Sequence, residues 1–368
     1  MHNLSLLFHE FSHRNIQLSN RIVMAPMTRS FSPNHIPTKR VAEYYRRRAA
    51  HGVGLIITEG TCIDHPAANG YANVPFMFGD EALAAWQKVV GAVHAEGGKI
   101  IPQLWHVGAV RRAGSDPHPS VPAYSSSGIA ASGQRSGRTM TQQDIQDVID
   151  SFKRAAHSAR EIGFDGIELH GAHGYLIDQF FWRETNHRGD KYGGSIKQRT
   201  RFAQEIIQTI RNDLGDDFLV VLRWSQWKMQ SLDAKLVENP DELRAFLQPL
   251  AQAGVDIFHC STRRFWDPVF PNSELTLAGW TRKVSGLPTI AVGSVGMNQD
   301  FLGGSMTENS LTQENILTML AQRIQNMEFD LVAVGRALIA DPAWPEKVRT
   351  GNTIAITPFN RTSLRVLE

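Results

Sequence analysis

The sequence predicts one (β/α)8 (TIM) barrel with a long loop after its third strand, and three observations lead to this fold class. Eight short apolar runs recur along the 368 residues, and most are continuous rather than alternating, as in parallel strands covered on both faces. Helical patterns separate most of these runs. No break in composition divides the chain, so we expect a single domain over residues 1–368. The competing fold is an open doubly wound sheet, but no G-x-G-x-x-G motif follows the first run.

The eight runs are rich in Val, Ile, Leu or Phe and are interpreted as the barrel strands. They are RIVMAP (21–26), VGLIITEG (53–60), KIIPQLWH (99–106), GIELHG (166–171), FLVVLRWS (218–225), VDIFHCST (255–262), PTIAVGSV (288–295) and LVAVGRAL (331–338). The carboxyl ends of barrel strands share one face, and active sites of barrel enzymes lie there. Polar residues at these ends are therefore the candidate functional residues.

Cap and breaker residues delimit the helices between the strands. Residues 82–96 have helical spacing and are stopped by the Gly-Gly pair that follows. Thr141, with Asp144 three residues later, predicts a capping box for a helix that ends near Ile162. Further helices are predicted to begin at Ser195, near Pro240 and at Thr312.

Two connections between predicted elements are long and polar. Residues 107–140 follow the third strand and are rich in Ser, Gly and Pro. A loop longer than about 15 residues is uncommon unless it is functional or disordered. A shorter polar stretch, residues 296–310, follows the seventh strand. Both should lie on the active-site face of the barrel.

The composition excludes several classes of partner and site. The net charge of +2, from 38 basic and 36 acidic residues, gives no electrostatic case for nucleic acid or an anionic membrane. Cys62 and Cys260 have no C-x-x-C neighbours, so thiolate zinc and iron–sulfur sites are excluded, and two cysteines suit a reducing compartment. No signal peptide and no apolar run of about 20 residues is evident. We expect a cytoplasmic protein that binds small molecules, and a homo-oligomer is compatible with the sequence.

Two histidines and a tyrosine follow the fourth strand. His170 and His173 can donate two N–H bonds to one oxygen atom. Tyr175 can deliver a proton at neutral pH if the charge left behind is taken up or the proton is replaced. The alternative is a metal site, because His-x-x-His can bind zinc, although no third ligand is obvious at a neighbouring strand end.

Polar residues also end the first, third and fifth strands. Gln103 lies in a buried strand, where an unpaired amide costs about 1–3 kcal/mol, so it pairs with the backbone or with the edge of a ligand ring. Arg223 needs an anionic partner, which is Glu168 on the neighbouring strand, an electron-rich ring that gains negative charge, or both. Thr28 offers a hydroxyl to a ligand or is a turn residue.

The ends of the last two strands predict a phosphate site. Loops after strands seven and eight of such barrels bind phosphate through backbone N–H groups, with glycine allowing close approach and arginine a bidentate contact. The residues that suit this role are Gly293, Ser294, Gly335 and Arg336. The strand ends together predict a flat, phosphorylated cofactor across the barrel mouth with a small substrate above it.

The stretch HGAHGYLIDQFFWRETNHRGDKYGGSIKQRTRFAQEII resembles the signature region of the old yellow enzyme family, the flavin-dependent ene-reductases. RIVMAPMTRS, ITEGT, PQLWHVG, VLRWS, AVGSVG and VGRALIADP match the same family in the same order. The resemblance covers nearly the whole chain, and the fourth-strand motif is its most specific part. It implies a barrel that binds FMN non-covalently, takes a hydride from NADPH or NADH, and passes it by a ping-pong mechanism from flavin N5 to an activated alkene. Enones, nitroalkenes and quinone-like acceptors are the implied substrates.

The resemblance also implies roles for cofactor-binding residues. Thr28 would donate to the region of the flavin C4 carbonyl, Gln103 would hold the pyrimidine edge, and Arg223 would lie by N1 and O2. The residues that would line the ring are Ala25, Pro26, Met27 and Gly60. The residues that would hold the phosphate are Gly293, Ser294, Gly335 and Arg336.

On the substrate side, the resemblance implies that His170 and His173 bind the acceptor's carbonyl or nitro oxygen, and that Tyr175 protonates its α-carbon. Residues 263–274 and 296–310 depart from the family pattern and follow strands, so both could reshape the substrate pocket. Candidate pocket walls are Trp105, Arg264 and Trp266. Two other functions remain as alternatives: a metal-dependent barrel hydrolase or lyase that uses the two histidines, and an FMN-binding redox protein with a different acceptor.

Overall fold

The structure, a computed structural model, describes residues 4–297 and 312–368 and confirms the predicted barrel. Its strands, numbered in chain order, are β1 (Phe11–His13), β2 (Ile16–Leu18), β3 (Ile22–Met24), β4 (Leu55–Cys62), β5 (Lys99–Trp105), β6 (Tyr124–Ser125), β7 (Arg138–Thr139), β8 (Gly166–His173), β9 (Leu219–Lys228), β10 (Ile257–Ser261), β11 (Thr289–Val292) and β12 (Leu331–Val334). Eight of them close a parallel barrel in the order β3-β4-β5-β8-β9-β10-β11-β12, with β12 paired to β3. Each predicted apolar run overlaps one barrel strand, and β4, β8 and β9 extend two to three residues beyond their runs.

Helices connect the barrel strands on the outside. They are α1 (Lys39–Ala50), α2 (Asp80–His94), α3 (Gln142–Glu161), α4 (Leu176–Phe181), α5 (Ile196–Arg199), α6 (Arg201–Leu214), α7 (Pro240–Ala253), α8 (Leu277–Ser285), α9 (Gln313–Gln325), α10 (Arg336–Ala340) and α11 (Trp344–Arg349). No helix within residues 4–297 and 312–368 is both long and apolar enough to cross a membrane.

Four predicted helix starts are confirmed, whereas the helix predicted over residues 82–96 spans Asp80–His94. The Thr141 hydroxyl accepts from the backbone N–H of Asp144 while the Asp144 carboxylate accepts from that of Thr141, which is the predicted capping box. Ser195 forms a second capping box, and Thr312 caps α9. Pro240 is the first residue of α7, where a missing N–H costs nothing.

Strand alternation fills the barrel interior with one apolar cluster. Side chains from the barrel strands, such as Leu55, Val221 and Ile257, pack together in this cluster. Phe11 and Leu18 of the β1–β2 hairpin pack into the same cluster, which closes the barrel at its N-terminal end. The opposite end is left for the polar residues.

The long loop after β5 is tied to neighbouring parts of the chain by hydrogen bonds. Its only strands are the short parallel pair of β6 and β7. The buried guanidinium of Arg111 donates to the carbonyl oxygens of Ser115 (2.8 Å), His118 (2.6 Å) and Val121 (3.3 Å), and also to that of Asn69 in the loop after β4. One arginine therefore fixes the first part of the loop.

The structure describes residues 263–274 in full but only part of residues 296–310. Residues 263–274 contain no helix or strand; Phe265 and Phe270 are buried, whereas Asp267, Pro268 and residues 271–272 are exposed, so two aromatic side chains anchor a partly exposed segment. Of residues 296–310, only Gly296 and Met297 fall within the described ranges, and the predicted role of the rest lies outside them.

Two loop glycines allow a test of this packing. Gly133 (φ +80°) and Gly137 (φ +73°) both have left-handed backbones, but a Cβ on Gly137 would collide with the Ala123 carbonyl oxygen, whereas a Cβ on Gly133 would meet nothing within 4 Å. Gly133→Ala should lower the free energy of unfolding by about 1–2 kcal/mol. Gly137→Ala should cost about 1–3 kcal/mol more, measured by urea denaturation. Equal losses would show that the loop does not pack as described.

Candidate active site

A layer of polar side chains closes the C-terminal end of the barrel interior. On β10, His259 and Ser261 point to the same side as Ile257, which packs in the interior cluster, because strand residues alternate between faces. The same alternation turns inward Gln103 of β5, Glu168 and His170 of β8, and Arg223 of β9. The strand register sets His170 and His259 on either side of Arg223. The predicted polar strand ends therefore meet at one level.

Glu168 joins two members of this layer. Its fully buried carboxylate accepts from the Gln103 amide nitrogen (2.7 Å) and from His259 Nδ1 (2.6 Å). Gln103 thus pairs with a side chain, which is neither of the two partners that its sequence context suggested. Because the amide NH2 is directed at Glu168, the amide oxygen is the atom that Gln103 can offer to a ligand.

Arg223 is buried, and not all of its N–H groups have hydrogen-bond partners in the described part of the chain. Nη2 donates to Ser261 Oγ (3.3 Å), and Nε has no hydrogen-bond partner among the described residues. The Glu168 carboxylate forms no ion pair with Arg223 within 4.0 Å in the described ranges; it acts on the guanidinium through space, opposing the lowering of the Arg223 pKa by burial. A buried guanidinium with an unpaired N–H is suited to an electron-rich or anionic partner above it.

Ser261 connects Arg223 to His173. The Ser261 oxygen accepts from Arg223 and lies 2.7 Å from His173 Nε2. The hydroxyl hydrogen is then free to point at Nε2, which leaves the ring proton on Nδ1 as a donor. Burial, and next the Arg223 charge, hold the pKa of both His170 and His173 well below the ordinary 6.5, so both imidazoles are neutral.

A buried ion pair holds the turn that carries His173 and Tyr175. Lys228 Nζ donates to Asp178 Oδ1 (2.7 Å), and both side chains have no exposed surface. Asp178 Oδ2 accepts from the backbone N–H of Gly174 (2.6 Å), the residue between His173 and Tyr175. His173 itself has a left-handed φ of +65°, so this turn needs external support. The pair supplies it from β9 and α4.

Tyr175 lies in an aromatic cluster that includes a residue absent from the predicted site. Its ring meets the rings of Trp105 and His170 edge-on, each at 4.9 Å between centroids. Tyr71 stacks on Trp105 (5.1 Å) and its hydroxyl lies 3.2 Å from that of Tyr175. Tyr71 follows β4 by nine residues, so a rule confined to strand ends misses it. The sequence indicated Tyr71 only through its position after a glycine in the loop that follows a barrel strand.

The residues predicted to line the cofactor ring lie at adjacent strand ends. The backbone N–H of Ala25 donates to Val334 O (2.9 Å), and a Cβ on Gly335 would be 3.4 Å from Met27 Sδ. Gly60 pairs with Gln103 in the sheet, and a Cβ there would collide with the Trp105 ring. Pro26 is half-buried, and Thr28 is exposed beyond the end of β3.

The four predicted phosphate residues follow two adjacent barrel strands, β11 and β12. Gly293 has a φ of +143°, and a Cβ there would be 2.6 Å from the Thr262 carbonyl oxygen, so only glycine fits. Ser294 Oγ donates to Arg263 O (2.9 Å). The Arg336 guanidinium lies over the ring of Phe359 at 5.6 Å. Gly335 precedes Arg336 at the start of α10.

The three residues predicted to form the pocket walls have different neighbours. Trp105 is part of the aromatic cluster, with its ring 6.2 Å from that of His170. Arg264 lies 3.8 Å from the Asp267 carboxylate. Trp266 packs on Phe265, and its carbonyl oxygen accepts from Arg323 of α9 (2.9 Å). Trp266 therefore contacts α9, whereas Arg264 pairs within its own segment.

The unpaired polar atoms of this layer fit the flavin that the resemblance implies. His170 Nδ1, Trp105 Nε1 and Arg223 Nε are buried and lack hydrogen-bond partners in the part of the chain that the structure describes. Buried polar atoms are nearly always paired, so a cluster of unpaired ones indicates a ligand. Within the same residues, no three His, Cys, Asp or Glu side chains group as metal ligands, which disfavours the metal-dependent alternative.

Comparisons with known proteins agree with these features. Residues 6–354 match the sequence profile of the NADH:flavin oxidoreductase / NADH oxidase family. The chain is 32% identical to 12-oxophytodienoate reductase 2 of Arabidopsis thaliana over 94% of this chain and 88% of that one. It is 34% identical to NADH oxidase of Thermoanaerobacter brockii over 94% of this chain and 51% of that one.

Two solved structures are similar over nearly the full length. Morphinone reductase in complex with tetrahydroNAD superposes with a TM-score of 0.81 at 28% identity, covering 97% of this chain and 93% of that chain. Old Yellow Enzyme from a Pichia species superposes with a TM-score of 0.80 at 25% identity, covering 98% and 90%.

The buried ion pair should be important for stability. Lys228→Met leaves the Asp178 carboxylate buried without its partner, which should lower the free energy of unfolding by about 3–5 kcal/mol in urea denaturation. Adding Asp178→Asn should recover part of this loss, because the uncompensated charge is removed. Lys235→Met is the matched control, since that lysine side chain is 61% exposed. A Lys228→Met protein as stable as the control would contradict the described pairing.

The neutral histidines predict how stability changes with pH. The pKa values of His170 and His173 lie below 6.5 in the folded protein, so below pH 6.5 the unfolded chain binds more protons and the free energy of unfolding falls. The fall should reach about 1.4 kcal/mol per pH unit for each histidine. A His170→Asn, His173→Asn protein should therefore have a shallower slope between pH 6.5 and 5.5, measured by urea denaturation with excess cofactor.

The exposed His118 supplies the control, because His118→Asn should leave the slope unchanged. Equal slopes for the parent and the double variant would mean that the two imidazoles are not buried in their neutral form.

Proposed function

The chain belongs to the NADH:flavin oxidoreductase / NADH oxidase family, which includes the old yellow enzymes, and we propose that it reduces the C=C bond of electron-poor alkenes with NADPH or NADH as the reductant. Membership makes it an enzyme, a flavin-dependent oxidoreductase. The proposed acceptors are enones, nitroalkenes and quinone-like compounds. The reduction of oxophytodienoate and of morphinone, named for the relatives, has the same chemical form.

The observation that carries the proposal is the convergence of two neutral imidazoles and a phenol above the polar layer. The rings of His170 and His173 are 5.2 Å apart at 87°, and Tyr175 meets His170 at 4.9 Å. Two neutral N–H donors can bind one acceptor oxygen without adding a full charge. Their hydrogen bonds strengthen as enolate charge builds on that oxygen, so they favour the transition state over the bound acceptor.

Bound FMN would supply the hydride chemistry, accepting a hydride from the nicotinamide and giving one to the acceptor's β-carbon. Arg223 is the residue that would stabilise negative charge at the ring edge, and the Gln103 oxygen would accept from a ring N–H. Thr28 would donate to a ring carbonyl, and Ala25, Pro26, Met27 and Gly60 would line the ring. Gly293, Ser294, Gly335 and Arg336 would hold the phosphate.

Tyr175 is the proposed proton donor to the α-carbon. It is buried, and its ring meets His170 of the proposed oxygen-binding pair edge-on. Burial raises the pKa of Tyr175 above its ordinary 10.0, which keeps the hydroxyl protonated at neutral pH and ready to donate. Trp105 would form one wall of the acceptor space, and Arg264 and Trp266 remain proposed wall residues only for a large acceptor that extends towards α9.

The cysteines and the net charge support the proposed location and the proposed type of partner. Cys62 and Cys260 are buried free thiols, which is compatible with a reducing, cytoplasmic location. The net charge of +2 supports a small-molecule partner rather than nucleic acid.

The histidine pair provides the test of this function. The protein should bind FMN, be reduced anaerobically by NADPH or NADH, and be reoxidised by members of a panel of enones, nitroalkenes and quinones. His170→Ala, His173→Ala should retain the flavin absorbance but be reoxidised by enones at least about 100-fold more slowly, because two oxygen-binding donors are lost. His118→Ala, in an exposed loop, should behave like the parent.

Reoxidation of the double variant at the parental rate would remove the proposed role of the two imidazoles. Reduction by nicotinamide with reoxidation by quinones but by no alkene would instead favour the flavin protein with a different acceptor.

A further inference from the structure

We propose that Tyr71 is a positioning residue that acts through Tyr175: its hydroxyl orients the Tyr175 hydroxyl, stabilises the charge that develops on the Tyr175 oxygen, and returns a proton to it. The inference rests on the proposed function, in which Tyr175 protonates the acceptor. It is carried by the 3.2 Å separation of the two hydroxyl oxygens.

The Tyr71 hydroxyl is held in place from two directions. Its ring stacks on Trp105 at 5.1 Å and 24°, and Trp105 in turn meets Tyr175 edge-on. Its backbone N–H donates to Asn69 Oδ1 (2.9 Å), which forms a tight turn in the loop after β4. Asn69 is buried, and its Nδ2 donates to Asp116 O (3.1 Å) in the long loop after β5. The contact with Tyr175 is therefore part of a packed arrangement.

The direction of the hydrogen bond follows from the other neighbour of Tyr175. The Tyr175 hydroxyl also lies 3.5 Å from Met229 Sδ, which can only accept. A phenol has one hydrogen, so when it is directed at Met229 or at an acceptor carbon, Tyr71 must be the donor to the Tyr175 oxygen. That is the arrangement needed while the Tyr175 proton leaves.

The Tyr175 oxygen needs such a donor because its other contacts do not compensate a negative charge. Its side chain is 6% exposed, Trp105 and Met229 are uncharged, and His170 is neutral. A hydrogen bond to a charged group contributes more than one between neutral groups. Loss of the Tyr71 hydroxyl should therefore slow proton delivery by roughly 10- to 100-fold.

The proton balance of the step is simple. The Tyr175 O–H bond breaks as the electron pair of the enolate forms the new C–H bond at the α-carbon. The Tyr71 O–H proton moves to the Tyr175 oxygen, and Tyr71, whose side chain is half-buried, regains a proton from water. Nothing is oxidised or reduced in this transfer, and the hydride step is unchanged.

Tyr71→Phe is the test, because it retains the ring that stacks on Trp105 and removes only the hydroxyl. In anaerobic stopped-flow experiments with FMN-loaded enzyme, reoxidation by cyclohexenone should slow roughly 10- to 100-fold. FMN content, reduction by NADPH and the dissociation constant of cyclohexenone should be unchanged. Reoxidation by benzoquinone should also keep its rate, because its oxygens can take protons from water. Tyr192→Phe, which removes a hydroxyl that contacts Glu205 rather than Tyr175, should resemble the parent.

A double-mutant cycle identifies the path through Tyr175. In a Tyr175→Phe protein, adding Tyr71→Phe should cause no further loss, because the group through which it acts is already missing. Rates measured in H2O–D2O mixtures add a second readout: the parent should show two transferred protons, and Tyr71→Phe one. Packing alone would not produce either result.

The role of Tyr71 and the proposed function are contradicted by different results. A full cyclohexenone rate for Tyr71→Phe, or losses that simply add in the cycle, would overturn the role of Tyr71 while Tyr175→Phe is still slow. A full rate for Tyr175→Phe, or no reoxidation of the parent by any alkene, would instead overturn the proposed function.

Discussion

The polar end of the barrel depends on the buried carboxylate of Glu168. This one negative charge accepts hydrogen bonds from Gln103 and His259 and offsets, through space, the charge of Arg223. A guanidinium in a dry interior would otherwise lack compensation at large cost, and the amide would have no fixed orientation. The balance is incomplete, because Arg223 Nε has no hydrogen-bond partner within residues 4–297 and 312–368. The carboxylate therefore makes the site stable while leaving donor capacity for a ligand.

The turn that carries His173 and Tyr175 is supported by a buried ion pair. This pair is separate from the hydrogen bonds that hold the polar layer around Glu168. Lys228 and Asp178 hold the backbone between His173 and Tyr175, and none of their atoms takes part in the layer around Glu168. Ser261 is the link between the two levels, since its oxygen contacts both Arg223 and His173. Groups held this firmly can act on a developing charge without reorganising, which is where electrostatic catalysis is most effective.

Sequence patterns predicted the backbone better than the contacts. The eight strands and the Thr141 cap follow from local apolar runs and cap residues, and strand alternation was sufficient to direct Gln103 and Arg223 inward. Other contacts between side chains far apart in the chain could not be predicted in the same way. His259 and Glu168 are 91 residues apart, and Tyr71 and Tyr175 are 104 apart, so their contacts arise from barrel closure and loop packing. No local period encodes such pairs.

His170 and His173 are neutral, whereas the neighbouring Arg223 carries a positive charge. A protonated His170 would lie beside Arg223, and the repulsion and burial that lower its pKa make that state unfavourable. A cationic pair would also bind an enolate or phenolate strongly before and after reaction, which stabilises bound states rather than the transition state. In the proposed function, the full positive charge would be kept at Arg223, on the side of the bound cofactor ring. The oxygen of a transient acceptor would then meet only neutral donors, whose hydrogen bonds strengthen as charge forms and weaken when the product is neutral again.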